Sequence, residues 1–348
     1  MHGFPPDQMA GGAAAFRAGA RTRRMTQVWR IVARRLGNAV PVLAIVAVGL
    51  FCLLELAPGD AVDAYLSGSG GDAGLVAQLR QQWGLDKSFA TRLSAYLLSL
   101  LTLDLGWSVA FSRPVREVVL DRLGNTLLLM SAAIALSFSA GTLLGVVAGS
   151  RPRSLRDRVL SLLSLGLYAM PGFWLGLMLI VGFAVKLSWF PLGGIANIGE
   201  PLTGFAHVLD VAWHLTLPAS ALGLVYLALY LRLMRAGMVE AWRSDYVRTA
   251  RAKGLTRSRI VWRHVARNAL LPIVTMLGLQ AAAMLGGSVV VESVFAIPGL
   301  GRLAFEAVKQ RDVPLLLGII LAGTVLVILV NLLVDLAYAK LDPRVSVG

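Results

Sequence analysis

Residues 245–272 read DYVRTARAKGLTRSRIVWRHVARNALLP, a basic stretch held between two long apolar ones. Its first residues have helical character. Asp245 is a residue type that caps a helix N-terminus, and Tyr246, Val247 and Ala250 fall on one helical face. Gly254 is the type that ends a helix in a left-handed turn, with Leu255 next as the accompanying hydrophobic contact. Thr256 then has the chemistry to cap a second helix running on toward Leu271-Pro272. A short amphipathic helix inside a long basic loop has two physical readings. One is a helix lying on lipid headgroups, its arginines held by anionic lipid. The other is a docking helix laid into a groove of another protein. The residue chemistry leaves both open.

The surrounding composition decides the class. Of 348 residues 57% are hydrophobic and 15% charged, and mean hydropathy is +0.71, yet the net charge is +14. A soluble domain is about half apolar and a quarter charged, so this chain belongs in a bilayer. Six apolar stretches reach the roughly 20 residues a span requires: 38–56, 125–149, 159–185, 215–233, 270–291 and 315–337. With the N-terminus inside, the cytoplasmic segments hold 23 of the 33 Lys and Arg, counting Arg232 at the polar end of the fourth span. The external segments hold ten, and thirteen of the 19 acids lie outside or at the outer boundary. That asymmetry is the positive-inside rule and puts both termini in the cytoplasm. The basic charge is therefore topological, not a nucleic-acid footprint. Cys52, in the first span, is the only cysteine, so no internal disulfide forms.

Along the chain, residues 1–24 read as a disordered basic tail, and Met25 is a second candidate start. Residues 25–123 comprise the first span and a long external region with amphipathic helices at 73–83 and 89–100. Trp83 and Trp107 are candidate interfacial anchors there. Residues 124–344 form the core with the five remaining spans, and 345–348 a tail. The third span contains Met170-Pro171-Gly172-Phe173-Trp174, a helix break that either serves packing or faces a path through the membrane. The second external loop, 189–213, leads into His214. His207, Asp210 and His214 would share a helical face able to hold a divalent metal, against the plainer reading of a solvated loop.

Residues 289–303, VVVESVFAIPGLGRL, contain a Pro298-Gly299 turn that leaves Phe295 and Ile297 near the outer mouth. They read either as a packing loop closing the bundle or as a surface at an outer gate. Within the spans, Gln280 and Asn331 are the polar amides; Gln280 could line a path, and Asn331 suits an interhelical hydrogen bond. Self-contained chemistry is missing. The dipeptide Gly-Lys never occurs, so there is no phosphate loop, and neither His-Glu-x2-His nor Cys-x2-Cys is present. An ion-coupled carrier would place ionisable groups inside its spans, whereas Glu55 and Asp335 sit at span ends. The pattern suits an apolar, shape-changing passage driven from elsewhere, with a self-contained channel or carrier as the alternative class.

The run Tyr246-Val247-Arg248-Thr249-Ala250-Arg251-Ala252-Lys253-Gly254-Leu255 resembles the cytoplasmic coupling loop of binding-protein-dependent ABC importers, in the form carried by dipeptide and oligopeptide permeases. Arg248-Thr249-Ala250 stand where the general importer pattern has Glu-Ala-Ala, His264 stands at its isoleucine place, and Leu271-Pro272 come late. The stretches 103–108 (LDLGWS), 113–115 (RPV), 289–303 and 338–344 (YAKLDPR) are similar to the same family, so the resemblance covers about 25–344. It implies an all-α bundle of six transmembrane helices with a long first external loop and a cytoplasmic coupling helix, in a bacterial inner membrane. It further implies a second permease subunit, two ATP-binding subunits that hold ATP and Mg, an external solute-binding protein, and no cofactor in this chain. Asp245, Tyr246, Arg248, Thr249, Ala250, Arg251, Lys253 and Gly254 would form the ATPase-coupling site. Pro171, Gln280, Glu292, Phe295 and Pro298 would belong to the path or outer gate. The implied cargo is a di- or oligopeptide, with a nickel chelate, glutathione or another small solute as the alternative.

Overall fold

The computed structural model describes residues 32–53, 55–56, 86–197 and 202–341 with Trp29 and Gly199, and side chains as far as 336 in the last helix. The expectations for 1–24 and its two start sites, for the helix at 73–83 with Trp83, and for 342–348 lie outside these residues. In chain order the helices are α1 (Val32–Leu53), α2 (Phe89–Leu101), α3 (Val115–Ser150), α4 (Leu155–Ala169) and α5 (Gly172–Leu179, prolonged by a π-helical turn to Lys186). There follow α6 (Gly204–Ala241), α7 (Asp245–Ala252), α8 (Arg257–Val294), α9 (Leu300–Lys309) and α10 (Val313–Leu341). A two-residue antiparallel pair, β1 (Trp107–Ser108) with β2 (Arg113–Pro114), precedes α3.

Among the described residues five helices, α1, α3, α6, α8 and α10, are long and apolar enough to cross a membrane. Helix is the expected answer, since a spanning backbone must bond to itself where no water reaches. The third expected span differs. α4 and α5 meet the same criterion only as a pair, bent by 104°. The bend falls at the helix break already legible in the sequence: Pro171 lacks an N–H and drives Met170 into extended backbone, ψ 134°. Counted as one broken span, the pair makes six.

Two boundaries move. His207, Asp210 and His214, expected in or beside a solvated loop, lie in the first turns of α6, which begins at Gly204. The basic segment 257–267, expected as a separate helix leading to Pro272, is continuous with the fifth span. α6 and α8 each have 38 residues, about twice what the hydrocarbon requires, so each projects well past it.

α3 and α6 run parallel and nearly touch. Gly141, Gly145 and Gly149 recur every four residues on α3 and face 227–230, 231–234 and 235–238 of α6 in turn. A Cβ on Gly145 would lie 2.5 Å from Met234 Cβ, and one on Gly149 2.6 Å from Met238 Cβ. Small residues at this spacing let two backbones approach in lipid, where no hydrophobic force drives helices together.

The core runs along the bundle as linked clusters. At the basic end Val146 of α3, Met234 and Met238 of α6 and Ile260, Val265 and Ile273 of α8 pack together with α7. At the opposite end Val115, Val118 and Val119 of α3 meet Leu303 and Ala307 of α9 and Leu315 of α10. α1 is held from outside: Arg35 pairs with Asp335 at 2.6 Å, Arg92 of α2 donates to Glu55, and Ala47 and Leu50 pack on Leu321.

Candidate functional site

α7 forms as its residues dictate, beginning one position earlier than expected. Ser244, not Asp245, takes the extended N-cap position, and Asp245 sits in the first turn, where a carboxylate favours the helix dipole. At the other end Gly254 adopts φ +72°. Its N–H donates to Arg251 O at 2.9 Å, and the Leu255 N–H reaches back to Ala250 O at 3.2 Å. These two bonds define the left-handed stop that the sequence signalled, and Leu255 packs onto the basic-end core.

The helix has two unlike faces. Val247 and Ala250 are 1% and 4% exposed and lie among α6 and α8 residues. Asp245, Tyr246, Arg248, Thr249, Arg251 and Lys253 are exposed, as is Gly254. Of the eight expected site residues Ala250 alone turns inward, as an anchor.

Side chains that sequence reasoning passed over fasten this element to the bundle. Trp242 Nε1 donates to Gly149 O at 3.0 Å, and an Arg257 guanidinium nitrogen donates to Ser150 O at 2.9 Å. Both acceptors are carbonyls at the end of α3, which have no helical partner of their own. Arg251 and Arg257 lie over the Trp242 ring at 5.3 and 5.6 Å from its centre. Nearby, Asp157 is 2% exposed and takes two bonds from Arg235, one of 2.9 Å, plus the Arg153 N–H at 2.8 Å. The available signals were a tryptophan in a basic loop and a lone acid among four arginines.

The 289–303 region at the opposite end is built inward. Glu292 is fully buried; it accepts from Thr126 Oγ1 at 2.8 Å and from the Gly301 and Arg302 N–H groups at 2.7 and 3.1 Å. It thus caps α9 from below. Thr126 in turn accepts from the Leu300 N–H, and Asn125 donates to Pro298 O at 2.7 Å. Phe295 and Ile297, expected near the outer mouth, are both fully buried, because the Ile297 N–H folds back to Glu292 O and Ala296 takes φ +53°. The Phe295 carbonyl accepts from the Gly194 N–H at 2.8 Å, tying this loop to residues 190–197.

The remaining candidates separate. Pro171 is exposed at the 104° bend and Gln280 is half-buried on α8. Asn331 of α10 faces Gly278 of α8, its Oδ1 3.2 Å from where a Cβ would stand. Asp210 is engaged by the Asn197 N–H at 2.7 Å and side chain at 3.0 Å, and lies 3.3 Å from His214 Nδ1. Among the described residues no three His, Cys, Asp or Glu gather as metal ligands, and Asp210 holds Asn197 of the preceding loop.

Among the described residues, five to six apolar helices, with a polar-faced helix clamped across the ends of three of them, are the architecture of a multi-pass membrane subunit. The profile of the family described as "binding-protein-dependent transport system inner membrane component" matches residues 141–347, and the chain belongs to that family. The chain is 38% identical over 328 residues to the di/tripeptide transport system permease protein DppB of Pseudomonas aeruginosa (strain UCBPP-PA14), covering 90% of this chain and 98% of that one. It is 36% identical over 333 residues to the dipeptide transport system permease protein DppB of Escherichia coli (strain K12), at 91% and 98% coverage. An inward-facing structure of the MetNI methionine ABC transporter aligns with TM-score 0.52 at 16% identity, over 65% of this chain and 97% of that one, which supports the fold.

Proposed function

We propose that this permease subunit moves di- or oligopeptides, that its α7 receives the stroke of a separate ATP-binding subunit, and that both its termini lie in the cytoplasm. The observation that carries the coupling role is the two-faced α7. Its buried side belongs to the same packed cluster as α3, α6 and α8, while its outer side offers Tyr246, Arg248, Thr249, Arg251 and Lys253 to a partner. A push on such a face moves the ends of several helices as one body, because packed elements shift between discrete arrangements rather than deform. ATP and Mg would bind to two such partners, since this chain's sequence carries no phosphate loop. A second permease would complete the path, with Pro171 and Gln280 as path-facing candidates and Glu292, Phe295 and Pro298 holding the outer gate. An external solute-binding protein would deliver the cargo. The peptide assignment rests on the named activities of the two relatives at 36–38% identity.

The test is co-purification of the tagged chain from native membranes in mild detergent. A second permease and ATP-binding subunits should accompany it, and the complex, reconstituted with its binding protein, should take up labelled dipeptide when ATP is supplied. A chain that emerges alone overturns the coupling role. Uptake of a nickel chelate but no dipeptide overturns the cargo.

A further inference from the structure

A cleft of about 300 Å³ opens between the end of α3 and the start of α8. Its walls are Val147, Val261 and Trp262, and its rim is Arg151, Arg156 and Arg257. Arg151 and Arg156 make no ion pair among the described residues, and Asp157, the acid beside Arg156, is taken by Arg235. Arg257 keeps one nitrogen on Ser150 O. The first turn of α8 also faces this cleft through Ser258, and the side chain of its N-cap Thr256 makes no capping bond. That turn's N–H groups therefore remain available to an anion. An apolar wall, a triple-arginine rim and a helix N-terminus at the end of two spans together fit one class of molecule, an amphiphile with an anionic head.

We propose that this cleft is a site for an anionic phospholipid of the cytoplasmic leaflet. The phosphate sits among Arg151, Arg156 and Arg257, and an acyl chain runs along Val147 and Val261 toward the hydrocarbon. A free phosphate would satisfy the rim but not the wall, and a basic pocket between spans on this side of a membrane is where anionic headgroups concentrate. The position gives the lipid a role. Arg257 lies three residues past Gly254 and is stacked on Trp242, so a bound headgroup ties the α7 turn to the end of α3.

The experiment takes the full complex into vesicles of phosphatidylcholine alone or mixed with phosphatidylglycerol, re-extracts it, and measures retained lipid by mass spectrometry. The parent should retain phosphatidylglycerol selectively. The double variant Arg151→Gln/Arg156→Gln should lose affinity about fivefold for each arginine removed. Val147→Phe, which fills the wall and leaves every arginine, should lose it as well, while Arg259→Gln/Arg263→Gln, on the exposed surface nearby, should not. Unselective retention by the parent, undiminished retention by both cleft variants, or full displacement by added inorganic phosphate would each overturn the proposal.

Discussion

The α7 turn and the Glu292 loop lie at opposite ends of the bundle, and each is organised around a glycine, for contrary reasons. Gly254 has nothing within 4 Å of where a Cβ would stand, but its φ is +72°. Gly299 has an ordinary φ of −111°, but a Cβ there would lie 2.4 Å from the Glu292 carboxylate. The first needs glycine for its dihedral and the second for its space. The polar groups divide in the same way. Those of α7 point outward with little to hold them, and those around Glu292 are satisfied inside the chain. A loop whose polar side chains are all spoken for closes a structure; one whose polar side chains stand free on a rigid base offers them to something else.

The comparison breaks most sharply at Glu292. Glu292→Ala removes the acceptor of two buried donors and a half-buried one, and losing one partner of such a network costs about 3–5 kcal/mol. Thermal unfolding of the detergent-solubilised protein should show this as a large fall in melting temperature, and an unchanged temperature would mean the network is idle. Gly299→Ala should be next, at about 1–3 kcal/mol, the cost of overfilling a packed site. Combining it with a Glu292→Ala background, which removes the clashing carboxylate, should return most of that penalty.

How much of this was legible differs by kind of feature. The apolar stretches marked the spans, because twenty residues without charge have no other home. The helix ends escaped, since 204–213 is polar enough to read as loop and 257–267 reads as a separate helix, and nothing local says that a span's helix continues through them. Pro171 announced a break but not its 104°, which depends on how α4 and α5 pack. Gly254 was readable because its requirement is local: a left-handed residue followed by leucine. Gly141, Gly145 and Gly149 were not, because their spacing acquires meaning only beside Met234 and Met238. Glu292 was singled out for the outer gate, but its buried network was not legible for the same reason, since its hydroxyl partner Thr126 is 166 residues away.

At Gly254 the two regions can be told apart by a single pair of substitutions. Gly254→Val places a β-branched residue at positive φ and should cost about 1–2 kcal/mol, enough to loosen the turn while the spans still insert. Gly254→Asn should recover most of it, because asparagine tolerates that conformation. At Gly299 the same asparagine should rescue nothing, since space rather than dihedral is lacking there. Dipeptide uptake measured beside membrane abundance checks both, and equal rescue at the two sites would erase the distinction.

The smallest effect on stability should accompany the clearest effect on assembly. Arg248→Glu with Lys253→Glu reverses two exposed charges and leaves Arg251, which is engaged over Trp242, alone. Surface changes of this kind stay within about 0.5 kcal/mol, apart from a few tenths for an acid near a helix C-terminus. Folding should therefore be intact, while retention of the ATP-binding subunits on the tagged complex should fall severalfold. If those subunits stay bound, the outer face of α7 is not where they dock. The free polar side chains at this end would then belong to the lipid surface, and the contrast with the closed Glu292 loop would be one between water and protein, not between partner and self.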